Sequence, residues 1–168
     1  VPDDQALTFT GTVDITIDVI RTTPDITLNA DGLEFDSARL DGKLSGTTSY
    51  DAKLGRATVH FAAPIGVGTH TLAIAYHGKL GQATNGIFAM NYDTPSGKKR
   101  IIATNLEPAY ARKVFPGWDE PGRKATFTVT VDAPKDQMAI SNMPVATSVA
   151  ISPTTKRVTF AESPKMST

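Results

Sequence analysis

From residue 8 to residue 20 the chain reads Thr-Phe-Thr-Gly-Thr-Val-Asp-Ile-Thr-Ile-Asp-Val-Ile, and Val13, Ile15, Ile17 and Val19 alternate with Asp14, Thr16 and Asp18. Successive side chains of a β-strand point to opposite faces, so this period of two describes a strand with one face in a core and the other in water. The same period returns at residues 26–28, 33–40, 57–61, 71–76, 87–92, 126–131 and 157–160. Eight or more strands are expected. Between them stand turn clusters such as Asn29-Ala30-Asp31-Gly32, Asp41-Gly42-Lys43 and Pro95-Ser96-Gly97, which supply positive φ or a preset bend. No window combines helical periodicity with caps, and no crossover helices separate the strands. The expected fold is therefore all-β, an antiparallel sandwich formed as one domain over residues 1–168.

The composition removes several function classes. Lys plus Arg and Asp plus Glu are each 17, so the formal net charge is zero and carries no footprint for nucleic acid or an anionic membrane. The absence of cysteine rules out thiolate metal ligands, thiol nucleophiles and disulfides, and leaves the compartment open. No apolar run approaches the roughly 20 residues of a membrane helix, and Val1-Pro2-Asp3-Asp4 lacks the charged and apolar regions of a signal peptide.

Residues 104–121, Thr-Asn-Leu-Glu-Pro-Ala-Tyr-Ala-Arg-Lys-Val-Phe-Pro-Gly-Trp-Asp-Glu-Pro, break the alternation. Aperiodic stretches this long in compact domains are commonly functional. The histidines, His60, His70 and His77, have no spacing that places two imidazoles on one helical face, so they read as ordinary strand or loop residues. Ser141 has neither a nucleophile elbow nor a base that sequence can assign to it. The glycines at 66, 68, 78 and 81 open no helix and cradle no phosphate. Within the aperiodic stretch, Arg112, Asp119 and Glu120 read as scaffolding, with Arg112 suited to bidentate pairing with a carboxylate. An acid and base pair made of Asp119 and Glu120 is disfavoured because sequence neighbours on extended backbone point apart. Glu107 precedes Pro108, which biases it toward an extended conformation. Its carboxylate either binds an ammonium group or simply faces water.

This stretch resembles the N-terminal domain of the aminopeptidase N family of zinc metallopeptidases. The family pattern, T-Q-F-E-P-x-x-A-R-x-x-F-P-C-x-D-E-P-x-x-K-A-x-F, is matched here by Thr104, Glu107, Pro108, Ala111, Arg112, Phe115, Pro116, Asp119, Glu120, Pro121, Lys124, Ala125 and Phe127. Phe9-x-Gly11, Tyr76-x-Gly78-x-Leu80 and Ser141-Asn142-Met143-Pro144 extend the likeness over most of the chain. The resemblance implies a saddle-like β-sandwich that caps the active site of a peptide hydrolase. Glu107 is expected to hold the substrate's free α-amino group, and Asn105 to line the pocket for its first side chain. Asn105 replaces the usual Gln and is one methylene shorter, and Gly117 stands where many members have Cys.

The resemblance also implies a catalytic domain of the same protein as partner, carrying G-x-M-E-N, H-E-x-x-H and the zinc. None of these occurs before Thr168, so this chain is expected to hold no metal, to be inactive alone, and to expose the surface meant for that domain, with some self-association. A freestanding β-sandwich binding or adhesion module fits the composition equally well.

Overall fold

A computed structural model describes Pro2, Asp3 and residues 5–168 of the chain. It is all-β, and the ladders joining β2 to β12 are antiparallel. The chain divides into two compact units, Asp3–Asp119 and a second built mainly from Glu120–Thr168.

From Asp3 onward the larger unit carries a curled seven-stranded sheet, whose strands are β1 (Pro2–Asp3), β2 (Thr8–Val19), β3 (Thr23–Asn29), β4 (Leu33–Leu40), β5 (Leu44–Asp51), β6 (Arg56–Ile65) and β7 (Gly68–Lys79). Their spatial order is β1-β2-β7-β4-β5-β6-β3. Alternation decides which face is buried: Ile26 and Leu28, Val59 and Phe61, and Leu72, Ile74 and Tyr76 all turn inward. The outward positions between them carry Asp25, Thr27, Thr58, His60 and His77. Leu28, Val59, Leu72 and Ile74 are fully enclosed, each stabilising the fold by roughly 1.5–3 kcal/mol. A separate hairpin, β8 (Gly86–Thr94) and β9 (Gly97–Asn105), contributes Ile87, Ala89 and Ile102 to the same core. Phe115 and Trp118, from the stretch that follows β9, pack against it as well. Two apolar layers thus close over one core, as in a β-sandwich.

The smaller unit has a three-stranded sheet, β10 (Thr130–Pro134), β11 (Val145–Ala150) and β12 (Thr155–Phe160), in the order β10-β12-β11. Val158 and Phe160 of the central strand are buried, whereas every residue of β11 is exposed.

The alternating segments of the sequence become strands, with adjusted ends. The first stops at Val19, one residue earlier than expected, and the segment at 126–131 is replaced by a strand starting at Thr130. Just upstream of that strand, the chain pairs irregularly with the C-terminal end: Phe160, Ser163 and Met166 N–H groups donate to the Val129, Phe127 and Ala125 carbonyls at 2.9 Å. Besides the two-residue β1, three strands lacked a legible pattern. In β5 the apolar side chains are sparse, and Gly46 is small because Val59 and Phe61 of the next strand fill the space beside it. β9 begins with the charged run Lys98-Lys99-Arg100, and β11 lies wholly exposed at an edge.

Candidate functional site

The aperiodic stretch begins as strand and ends as a tightly bonded loop. Thr104 and Asn105 are the last residues of β9, where Asn105 pairs with Gly86 of β8. The chain then turns, with the Tyr110 N–H donating to the Leu106 carbonyl at 2.8 Å. A single 3-10 turn, Ala111–Lys113, follows. The Val114 and Phe115 N–H groups donate back to the Ala111 carbonyl, and Ala111 and Pro116 are buried.

The loop is bound to the end of β3 by backbone and side chains together. Asn29 and Gly117 exchange two backbone hydrogen bonds, at 2.8 and 3.1 Å, and the Asp31 N–H donates to the Arg112 carbonyl at 2.9 Å. The Trp118 Nε1–H reaches the Thr27 carbonyl at 3.0 Å. At the centre, Arg112 grips Asp119 with Nε to Oδ2 at 2.9 Å and Nη2 to Oδ1 at 2.6 Å, and the Arg112 backbone N–H donates to Oδ2 at 3.2 Å. With its amide oxygen facing the guanidinium, buried Asn29 accepts from Arg112 Nη1 at 3.2 Å and Nη2 at 2.9 Å. Burial pushes the Asp119 carboxyl up, but the hydrogen bonds and charge of Arg112 outweigh it, and the net shift is downward. Arg112 and Asp119 therefore lock the loop, as their residue types suggested. Glu120 is exposed.

Both sequence-derived site residues stand at the start of this loop, on the surface. Glu107 is exposed, its carboxylate meets no hydrogen-bond or ion-pair partner among the described residues, and its peptide bond to Pro108 is cis. Asn105 is also exposed, and its Nδ2 donates to the Thr84 carbonyl at 3.0 Å. A cavity of about 250 Å³ opens elsewhere on the same unit, lined by Asp31, Lys79, Asn85, Ile87 and Lys113 among others; neither Asn105 nor Glu107 lines it. There Lys113 Nζ lies 3.7 Å from Asp31 and 5.4 Å from the Tyr110 ring centroid. Among the described residues no group of three or more His, Cys, Asp or Glu side chains stands together as a metal site.

The model of the peptidase M1 N-terminal domain matches residues 1–168, the whole chain. The chain belongs to the peptidase M1 N-terminal domain family. Aminopeptidase N of Acetobacter pasteurianus is 45% identical over 167 residues, which cover 99% of this chain and 47% of that protein. Aminopeptidase M1-A of Oryza sativa subsp. japonica is 36% identical over 176 residues, covering all of this chain and 20% of that protein. Human glutamyl aminopeptidase is 40% identical over 103 residues, 61% of this chain and 11% of that protein. The chain thus spans about half of the first of these relatives and about a fifth of the second.

Beyond its loop, this M1 N-terminal domain carries polar groupings that sequence reasoning missed. Each histidine holds a carboxylate through Nδ1 at 2.8 Å: His60 with Asp25, His70 with Asp41, His77 with Asp36. His60 also meets Ser49 Oγ with Nε2 at 2.7 Å. His70 Nε2 lies 3.1 Å from the Gly66 carbonyl, so both ring nitrogens of His70 face acceptors and its pKa is raised. The partners are between 29 and 41 residues from their histidines in sequence. Strand pairing brings them together, with Asp36 at the irregularity of the β4–β7 ladder and Asp41 in the turn after β4, and no local motif signals it.

Proposed function

We propose that this chain is the non-catalytic N-terminal domain of a zinc-dependent aminopeptidase, and that the loop after β9 caps the active site and presents Glu107 to the substrate's α-ammonium group. The supporting observation is the contrast within the loop. Arg112, Asp119 and Asn29 consume one another's hydrogen-bonding capacity and hold the backbone, while Glu107 is left exposed and without a partner among the described residues. A carboxylate displayed on a fixed backbone needs little reorganisation to bind a cation. Its attraction for an ammonium group strengthens several-fold when a covering surface excludes water. Asn105 lines the pocket for the first side chain in this reading. Its Nδ2 bond to Thr84 holds the short side chain beside the hairpin, which leaves the pocket deeper than a Gln would.

In this reading the zinc and the groups that act on the peptide bond belong to the catalytic domain that the family resemblance implies. Catalytic domain and peptide substrate are then its two partners.

The test is hydrolysis of aminoacyl anilides by the protein extended past Thr168, beside Glu107→Ala and the isolated chain. Zinc-dependent cleavage that raises KM in Glu107→Ala, with no cleavage by the isolated chain, supports the reading. An extended protein without zinc-dependent cleavage leaves a β-sandwich binding module instead, and turnover unchanged in Glu107→Ala removes the role of Glu107.

A further inference from the structure

Three adjacent strands, β5, β6 and β3, set one side chain each in a line on the outer face of the large sheet. Asp25 and His60 are direct partners across the β3–β6 ladder, and Ser49 sits opposite Thr58, one outward position along β6 from His60. Asp25 Oδ1 lies 2.8 Å from His60 Nδ1, and His60 Nε2 lies 2.7 Å from Ser49 Oγ. An ionised carboxylate only accepts, so Nδ1 carries a proton, and in the neutral ring the Nε2 lone pair faces the Ser49 hydroxyl. Carboxylate, imidazole and hydroxyl stand in the order that activates a serine nucleophile.

We propose that Ser49, with His60 as base and Asp25 as the group that orients it, is a nucleophilic site that takes acyl groups from activated esters. Ser49 is exposed, and His60 and Asp25 are about half exposed, so an acyl donor reaches them from solvent. As Ser49 Oγ attacks the ester carbonyl, its proton passes to His60 Nε2. Collapse of the tetrahedral adduct breaks the bond to the leaving oxygen, which takes that proton and departs as the alcohol. A water molecule, deprotonated by the same imidazole, then hydrolyses the acyl-serine to a carboxylic acid and free Ser49.

The surroundings limit the substrate class. Ladders on both sides of β6 engage its backbone around His60, so that strand offers the developing oxyanion no fixed donor. Each missing donor costs on the order of 10²–10³ in rate. Slow acylation by esters with good leaving groups, aryl esters above all, is what remains; amides do not react.

The experiment treats the chain with p-nitrophenyl acetate, follows p-nitrophenolate release and maps the acetylated residue by peptide mass spectrometry. The expected result is a burst with one acetyl group on Ser49, lost in Ser49→Ala and slowed about tenfold or more in Asp25→Asn. All three side chains face solvent, and an unchanged urea midpoint for Ser49→Ala shows that folding is intact. Release that survives Ser49→Ala, or acetyl found only on lysines, the terminal amine or His60 itself, overturns the proposal.

Discussion

Tyr76 lies across Gly11, its direct partner in the β2–β7 ladder, so closely that a Cβ on Gly11 would stand 2.6 Å from its ring and hydroxyl. Phe9 repeats the relationship two residues away, its ring over Gly78, where a Cβ would meet it at 2.8 Å. The two rings meet edge to face at 6.3 Å. Each aromatic thus fills the space above the opposite glycine, which explains physically why Phe9-x-Gly11 and Tyr76-x-Gly78 occur together.

Gly11→Ala should destabilise the domain by about 1–3 kcal/mol through overpacking. In a Tyr76→Ala background the same change should be close to neutral, because the clash is gone. Urea midpoints of the four proteins in this double-mutant cycle measure the coupling, and additive effects would mean that the ring does not sit on Gly11.

Burial pushes the Tyr76 phenol up to about 12 from its ordinary 10.0. The unfolded chain therefore releases this proton first, and stability should fall as pH rises from about 10 toward 12. Tyrosinate absorbance of the folded protein should show an ionisation near pH 12 that disappears in Tyr76→Phe.

Removing Asp119 leaves the Arg112 guanidinium charged, partly buried and without its carboxylate. Asp119→Ala should cost about 3 kcal/mol, the loss typical of breaking a buried pair. Because the folded Asp119 carboxyl lies below its ordinary value of 3.8, the contribution is complete above that pH and is lost as pH falls through the lower, folded value. Denaturation midpoints at neutral and acidic pH should show the difference between wild type and variant shrinking in acid.

His70 is raised above 6.5, first by its hydrogen bond to Asp41 and then by the Gly66 carbonyl; Asp41 is lowered below 3.8, first by His70 and then by the Thr71 N–H. The His70 contribution is whole below 6.5 and fades as pH rises through the folded value; that of Asp41 is whole above 3.8 and fades as pH falls through its own. The pair therefore stabilises most between these two pH values. NMR titration of the His70 ring should give a midpoint above 6.5 that moves down in Asp41→Asn.

In the aminopeptidase reading, Asn105→Gln lengthens the side chain by one methylene and shallows the pocket. Activity on anilides of large N-terminal residues should fall relative to small ones, by roughly 10- to 100-fold at most, since one methylene is worth about 1–3 kcal/mol in a pocket. A panel of anilides spanning alanine to phenylalanine checks it, and an unchanged ranking would separate Asn105 from the pocket.

Much of this fold could be read directly from alternation. Val13, Ile15, Ile17 and Val19 of β2, and Leu72, Ile74 and Tyr76 of β7, face the core where their period puts them, because a strand's side-chain geometry is local. Of the strands without a legible pattern, β5 and β11 hold their places through neighbours rather than through their own apolar residues, as Gly46 beneath Val59 and Phe61 illustrates, whereas β9 packs Ile102 against the core behind its charged start. Arg112 was legible as a carboxylate partner because a guanidinium fork next to Asp119 in an irregular loop has few other uses.

Sequence alone determined the all-β class, the family and the special character of the stretch containing Asn105 and Glu107, since each rests on local periodicity or on a contiguous motif. The tertiary structure decided which groups meet: Asn29 with Arg112, Trp118 with the Thr27 carbonyl and, across strands, Asp25 with His60 and Ser49. The contacts of Asp25, His60 and Ser49 depend on strand order and register, since a shift of one residue sends a strand's side chains to the opposite face, and those of Arg112 and Trp118 depend on where the loop after β9 folds back against β3.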